Sequence, residues 1–217
     1  MKRVVLPVIL MLIVLIGGMP NRNVRAHTGA LHNCTEKKDV VAWGAWAYIN
    51  WTNPDLDTGD GGQWVYNRVG VAQVSPWRFV EFGWWKTTSG LQGYIAYNDG
   101  SGNKGQSVTI SAATHRYSMQ YDPNTGKYWF YVDGSNVWNV NANFTDGDFA
   151  VGGGEVGYGV ESMGHTKLWD LRYSKRNPDG TFQYALWNGH VNYTDDDPYF
   201  NTNIDSNSFY DDGDGHN

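Results

Sequence analysis

The stretch Arg116-Tyr117-Ser118-Met119-Gln120-Tyr121-Asp122-Pro123-Asn124-Thr125-Gly126-Lys127-Tyr128-Trp129-Phe130-Tyr131-Val132-Asp133-Gly134 reads as strand, turn, strand, turn. In Asp122 to Gly126 the proline fixes φ, while Asn124 and Gly126 accept positive φ, so the reversal has a mechanism. Asp133-Gly134 then turns the chain into Asn136 to Val140, the signature of a hairpin. Working outward, strand-like runs recur between turn residues at Asp39 to Trp51, Trp64 to Val74, Trp77 to Thr87, Gly93 to Tyr97 and Ser107 to Ala112. Others follow at Phe149 to Val156, Thr166 to Tyr173 and Phe182 to Trp187. Short strands, frequent turns and no helix-length periodic segment predict an all-β fold. Its architecture is an antiparallel two-sheet β-sandwich of jelly-roll or concanavalin-like type.

Composition agrees. The 217 residues include 11 Trp, 14 Tyr and 27 Gly, and only 18% are charged. Long helices need Ala, Leu, Glu, Lys and Arg, whereas Trp, Tyr, Val and Thr suit strands. The first 26 residues read as an export signal: Lys2 and Arg3, an apolar run from Val4 to Ile16, and a cleavage site at Val24-Arg25-Ala26. Removing it takes away four basic residues and no acid, so a net charge of −6 becomes −10. Such a surface excludes nucleic acid as a partner, since its binders cluster Lys and Arg against phosphate. No later segment is apolar enough to cross a bilayer. The single Cys34 allows no internal disulfide, which for an exported chain points to a bacterial source. The division expected is a signal peptide over 1–26, a loose N-terminal segment over 27–41, the sandwich over 42–193 and a solvated Asp/Asn-rich tail over 194–217. A secreted monomer is expected, with Cys34 unpaired near the loose N-terminus.

Motifs exclude several chemistries. There is no Gly-x-Ser-x-Gly elbow, no His-Glu-x-x-His and no phosphate loop. The six His are scattered, and neither Asp55 to Gly61 nor Asp211 to Gly215 has the register of a calcium loop, so no metal and no cofactor is expected. The carboxylates say more. Only four acidic residues are Glu, and two of them, Glu81 and Glu155, sit in otherwise uncharged strands: Phe79-Val80-Glu81-Phe82-Gly83-Trp84-Trp85 and Val151-Gly152-Gly153-Gly154-Glu155-Val156-Gly157-Tyr158. Glu is disfavoured in strands, so these positions ask for a reason. By alternation, Glu81 shares a face with Gly83 and Glu155 with Gly153 and Gly157, leaving open space beside each carboxyl. A structural reading stays open at this point, with Glu81 paired to Arg78 or Arg116 and Gly152 to Gly154 forming a bulge.

Four stretches, in order, resemble the neprosin-like glutamic peptidases. They are Tyr48-Ile49-Asn50-Trp51-Thr52-Asn53-Pro54, Val80-Glu81-Phe82-Gly83-Trp84, the hairpin Tyr121 to Trp129, and Gly153-Gly154-Glu155-Val156 followed by Ser162-Met163-Gly164. The resemblance implies a β-sandwich catalytic domain acting on a peptide or protein substrate at acidic pH, with Glu81 and Glu155 catalytic. It leaves open which is base and which is acid. Two carboxyls held close together would share a proton and activate a water. Trp84 or Trp85 and Tyr158 are candidates to line the cleft. The Cys-containing segment of plant members has no counterpart between Gly93 and Gly105. Two alternatives remain: a lectin-like carbohydrate-binding sandwich without activity, its aromatic rings stacking on sugars, and a glycosidase, which also uses two carboxylates.

Overall fold

The computed structural model describes residues 31–56, 63–157, 162–195 and 199–213. The expected leader over 1–26, Tyr158 and the end of the acidic tail from 214 lie outside the described residues. Within them the chain forms strands and no helix: β1 (Leu31–Ala42), β2 (Gly44–Ile49), β3 (Trp64–Gln73), β4 (Arg78–Thr87), β5 (Gly90–Asn98), β6 (Asn103–Val108), β7 (His115–Asp122), β8 (Lys127–Val132), β9 (Ser135–Val140), β10 (Gly147–Gly157), β11 (Thr166–Arg176), β12 (Phe182–Leu186), β13 (Val191–Asp195), β14 (Phe200–Asp205) and β15 (Ser208–Asp212). Two antiparallel sheets result, ordered β13-β1-β10-β3-β4-β5-β6 and β14-β15-β11-β2-β7-β8-β9, with β12 pairing β11. This is a β-sandwich.

The hairpin behaves as its residues require. The Asp122 carboxylate accepts from the Asn124 N–H and from the Thr125 hydroxyl, both at 2.9 Å, and Gly126 takes φ +67°. Asp133 and Gly134 follow at φ 50° and 88°, the positive pair a tight hairpin demands. Period-two alternation then sorts side chains between the core and the outer faces. Val65, Val69, Val71, Val80, Phe82, Trp84 and Ile95 of the seven-stranded sheet meet Ala47, Ile49, Tyr117, Met119, Phe130 and Leu168 of the other, all fully buried. Phe82 locks the layers, standing edge-on to Tyr117 at 5.1 Å and to Phe130 at 5.6 Å.

Three expectations are corrected. The single run Asp39 to Trp51 is two strands in different sheets: β1 ends at Ala42 and β2 starts at Gly44, with Trp43 between them. From Leu31 onward the N-terminal segment is not loose, because β1 is an interior strand between β13 and β10, with Cys34 fully buried. Its charged residues hid this: Glu36 points inward to the buried His190, 3.1 Å away, while Lys37 and Asp39 face out. Nor are residues 199 to 213 of the expected tail a solvated stretch. β14 and β15 form a hairpin whose Ser208 to Asp211 register with β11, and Phe209 and Asp211 are fully buried.

Candidate active site

β10, β3 and β4 are neighbours, so the two glutamate motifs lie on the strands flanking β3. Register fixes the geometry. Glu155 is opposite Tyr66, Glu81 is opposite Gly70, and between them Arg68 is opposite Gly153 on one side and Gly83 on the other. These residues share the face turned away from the second sheet. Glu81 and Glu155 are thus the two diagonal neighbours of one arginine, within reach of a long side chain.

Arg68 uses that reach fully. Its Nη2 donates to Glu155 Oε1 at 2.5 Å, its Nε stands 3.1 Å from Glu81 Oε2, and its Nη1 donates to the Gly153 carbonyl at 3.2 Å. Its side chain is 5% exposed, while those of Glu81 and Glu155 keep 13% and 17%, so the carboxyls reach solvent and the guanidinium lies beneath them. The two carboxyls are thus brought together on one arginine, a partner that the sequence reading did not foresee. The expected partners Arg78 and Arg116 are engaged elsewhere, with the Asn143 carbonyl and the Trp46 ring. No bulge interrupts Gly152 to Gly154, which pair in continuous register on both sides.

The surrounding glycines are needed by close approach. A Cβ on Gly70 would stand 2.6 Å from Glu81 Cγ, so this glycine is what lets Glu81 turn toward Arg68. Gly153, at φ +139°, would push a Cβ to 2.7 Å from Thr35 Cα. The open space expected beside the carboxyls is in fact the seat of the guanidinium.

Electrostatics separate the two acids from ordinary surface carboxylates. Burial pushes the Glu155 carboxyl up, Arg68 pulls it back, and the Glu81 charge pushes it up again, leaving it at about 7. Both glutamates hold Arg68 charged in spite of its burial. Burial and the Glu81 charge also raise the hydroxyl of Tyr66, which donates to the Tyr94 carbonyl at 3.1 Å. At neutral pH and below, the site holds a carboxylic acid beside a partly exposed carboxyl on a fixed cation. That is the inventory for general acid–base work on a water.

The other expected residues divide. Trp85 lies on the Glu face, ring to ring with Tyr94 at 4.4 Å and Trp64 at 6.5 Å. Trp84 points the other way, fully buried, its indole N–H donating to the Asn50 carbonyl at 2.9 Å; alternation forbids it from lining the same cleft as Trp85. Arg68, Tyr66 and Tyr94 were missed, although Arg68 is the single charged residue of its strand and shares a face with Tyr66 and Gly70, which is a usable signal.

A second grouping has the order of a nucleophile, a base and an acid: Ser111 Oγ is 3.0 Å from His115 Nε2, and His115 Nδ1 is 2.6 Å from Asp133 Oδ2. However, the Ser111 carbonyl also lies 3.1 Å from Nε2. A carbonyl only accepts, so it favours a proton on Nε2, where a triad base needs a lone pair. The grouping clasps a loop to β7.

No family model and no curated protein matches the chain. Among solved structures it is similar to scytalido-glutamic peptidase with a peptide-based transition-state analogue, at TM-score 0.52 and 10% identity, over 84% of this chain and 97% of that one. The chain shares the fold of a glutamic peptidase. A second structure of scytalido-glutamic peptidase, with a transition-state analogue inhibitor, gives TM-score 0.48 at the same identity and coverage. A prokaryotic β-1,3-1,4-glucanase (lichenase) derived from a mouse hindgut metagenome gives 0.38, at 15% identity over 60% of this chain and 69% of that one.

Proposed function

We propose that the chain is an exported glutamic endopeptidase of the neprosin-like kind, active at acidic pH. The observation that carries this reading is the pair of partly exposed glutamates on the strands either side of β3, both addressed to one buried arginine. The shared fold and the ordered motifs around Glu81 and Glu155 support it.

The environments divide the roles. Glu155, pushed up to about 7 by burial and by the Glu81 charge against the pull of Arg68, keeps its proton under acidic conditions and is the acid. Glu81 is the base. It takes a proton from a water as the water oxygen bonds to the peptide carbonyl carbon. The Glu155 hydroxyl donates a hydrogen bond to the oxygen that gains charge, then passes its proton to the amide nitrogen as the C–N bond breaks. The products are a carboxylic acid and an amine, and a proton moves back from Glu81 to Glu155 to close the cycle. Arg68 keeps both carboxyls in place and offsets their mutual repulsion.

The test is digestion of an unfolded protein from about pH 3 to pH 8 with wild type, Glu81→Gln and Glu155→Gln, since general acid–base groups contribute roughly 100- to 10,000-fold. Acid-favoured cleavage that falls at least 100-fold in both variants is the expected result. A folded wild type that cuts nothing across that range rejects the reading.

A further inference from the structure

β13 and β14 are the terminal strands of the two sheets, and they lie beside each other on one side of the sandwich. Among the described residues, four of the nine exposed large apolar side chains stand on them: Val191, Tyr193, Phe200 and Ile204. That concentration singles out this edge. An edge strand is usually guarded by Lys, Pro or a charge along it. Phe200-Asn201-Thr202-Asn203-Ile204 has no charge and no proline, whereas β6, at the far edge of the other sheet, carries Lys104.

The direction of the β14 backbone groups follows from β15. The Asn207 carbonyl accepts from the Leu171 N–H at 3.1 Å and the Gly213 carbonyl from the Met163 N–H at 3.0 Å, so the odd-numbered residues of this stretch address β11. The even-numbered ones address β14, and the pairs Thr202–Tyr210 and Phe200–Asp212 carry the bonds between the two strands. Asn201 and Asn203 therefore turn their N–H and C=O groups to the free edge. The Asn201 N–H agrees, donating to the Asp195 carboxylate at 3.2 Å rather than to β15. The strand is also anchored: the Asn201 side chain turns inward, and its oxygen accepts from the Thr35 N–H of β1 at 3.0 Å.

We infer that β14 pairs with β14 of a second copy of this chain, about a two-fold axis through Thr202, joining the two eight-stranded sheets edge to edge. Antiparallel pairing bonds edge-facing residues to edge-facing residues. With Thr202 opposite Thr202, Asn201 of each copy exchanges both of its backbone bonds with Asn203 of the other, and Phe200 comes opposite Ile204. The order apolar, Asn, Thr, Asn, apolar makes the strand its own complement, as a two-fold contact requires. Thr–Thr pairs across strands are favourable, and no like charges stand opposite each other between Phe200 and Ile204. The register shift after Asn203 confines the contact to this short stretch. The bond from Asn201 to Asp195 is exchanged for one to a carbonyl of the second copy. In place of the expected monomer this gives a dimer. The contact uses neither Glu81 nor Glu155, so it stands independently of the peptidase reading.

The test is sedimentation equilibrium of the protein from about 1 to 100 µM, with cysteine variants crosslinked beside it. One strand pair is a small interface, so a monomer–dimer equilibrium within about that range is the expected result. Residues facing each other in a non-hydrogen-bonded pair have Cα atoms about 4.5 Å apart, which a disulfide spans. Thr202→Cys is therefore expected to form a linked dimer with oxidised glutathione as the oxidant. Phe200→Cys is not, because its counterpart lies about 13 Å away in this register, and neither is Ser107→Cys on β6. Cys34 is fully buried and does not interfere. Thr202→Lys puts like charges face to face and is expected to weaken association roughly tenfold or more. Its circular dichroism should be unchanged, since Thr202 is exposed in the single chain. Should that variant not fold, the crosslinking pair decides alone. A protein that stays monomeric to about 100 µM overturns the inference. So does a dimer that Thr202→Lys leaves intact, or one that Phe200→Cys links as readily as Thr202→Cys, because either result places the contact elsewhere.

Discussion

Arg68 Nη2 lies 2.5 Å from Glu155 Oε1 while Arg68 Nε lies 3.1 Å from Glu81 Oε2, so one guanidinium, beneath the surface, serves two carboxyls at it. Removing the cation leaves two partly buried acids facing each other. Arg68→Met is therefore expected to destabilise the fold by about 3–5 kcal/mol, the usual result of breaking one side of a buried ion pair. Adding Glu155→Gln to Arg68→Met should restore part of the loss, because the remaining charge is then single. Urea unfolding of the two single variants and the double variant measures the coupling; strictly additive losses would show that the contact carries no energy.

The same site sets a pH limb. Glu155 is pushed to about 7, first by burial and then by Glu81, with Arg68 opposing. In the proposed mechanism Glu155 is the acid and must hold its proton, so kcat/KM is expected to fall about tenfold per pH unit above about 7. Arg68→Lys, a point charge in place of a fork, is expected to move this limb, since it alters the interaction opposing burial. A pH–rate profile of both proteins reads the shift, and a wild-type limb two units lower contradicts the assignment of Glu155 as acid.

Stability should also fall as pH rises. A carboxyl whose folded value is raised binds its proton more tightly folded than unfolded, so its contribution is complete below the ordinary value of 4.5 and is lost as pH climbs through the folded one. For Glu155 the window runs from 4.5 to about 7 and is worth up to about 3 kcal/mol. Asp211, raised by burial and by the Asp212 and Glu36 charges against the pull of Arg68, acts in the same direction. So does His190: burial lowers it, but its contacts with Glu36 and the Asp205 carbonyl leave it raised, and that contribution too is lost as pH rises. Urea midpoints at about pH 4.5 and pH 7.5 should differ in favour of the acid, and Asp211→Asn should flatten the difference, because an amide cannot ionise. Midpoints that rise with pH would contradict this.

What the sequence made legible follows from how local each signal is. The turns at Asp122 to Gly126 and Asp133-Gly134 act within four residues, and they were readable along with the strands they join. Glu81 and Glu155 stood out because uncharged strands surround them. Arg68 did not, because its meaning lies in partners 13 and 87 positions away, which only the order β10-β3-β4 supplies. β1 was hidden for a related reason. Glu36 and Lys37 look like solvated charges until His190 is seen to face Glu36 across the buried side. Trp84 and Trp85 could not be told apart until alternation was anchored to a known inner face.

Cys34 offers a simple check on β1. It is fully buried, and burial together with the Asp211 charge holds the thiol well above its ordinary value. A thiol reagent reacts through the thiolate, so the folded protein is expected to stay unlabelled at about pH 8 while the urea-unfolded chain labels at once. Prompt labelling of folded protein would return the N-terminal segment to the loose state first expected of it.

The C-terminal hairpin gives the last prediction. Phe209 is fully buried against the inter-sheet core, and β15 completes the edge of β11 beside it. Asp211 and Ser208 are buried too, so this strand contributes on both faces. Phe209→Ala is expected to cost about 3–5 kcal/mol, as a large core truncation does. A chain ending at Asp195 loses Tyr199 and Phe209 from the core and uncovers a buried edge of β11, so it should fail to fold or should aggregate through that edge. Circular dichroism and gel filtration of the truncated chain decide the matter. A monomer with the full β signal would mean that the hairpin only decorates the sandwich, whereas collapse would make residues 199 to 213 as much a part of the fold as β3.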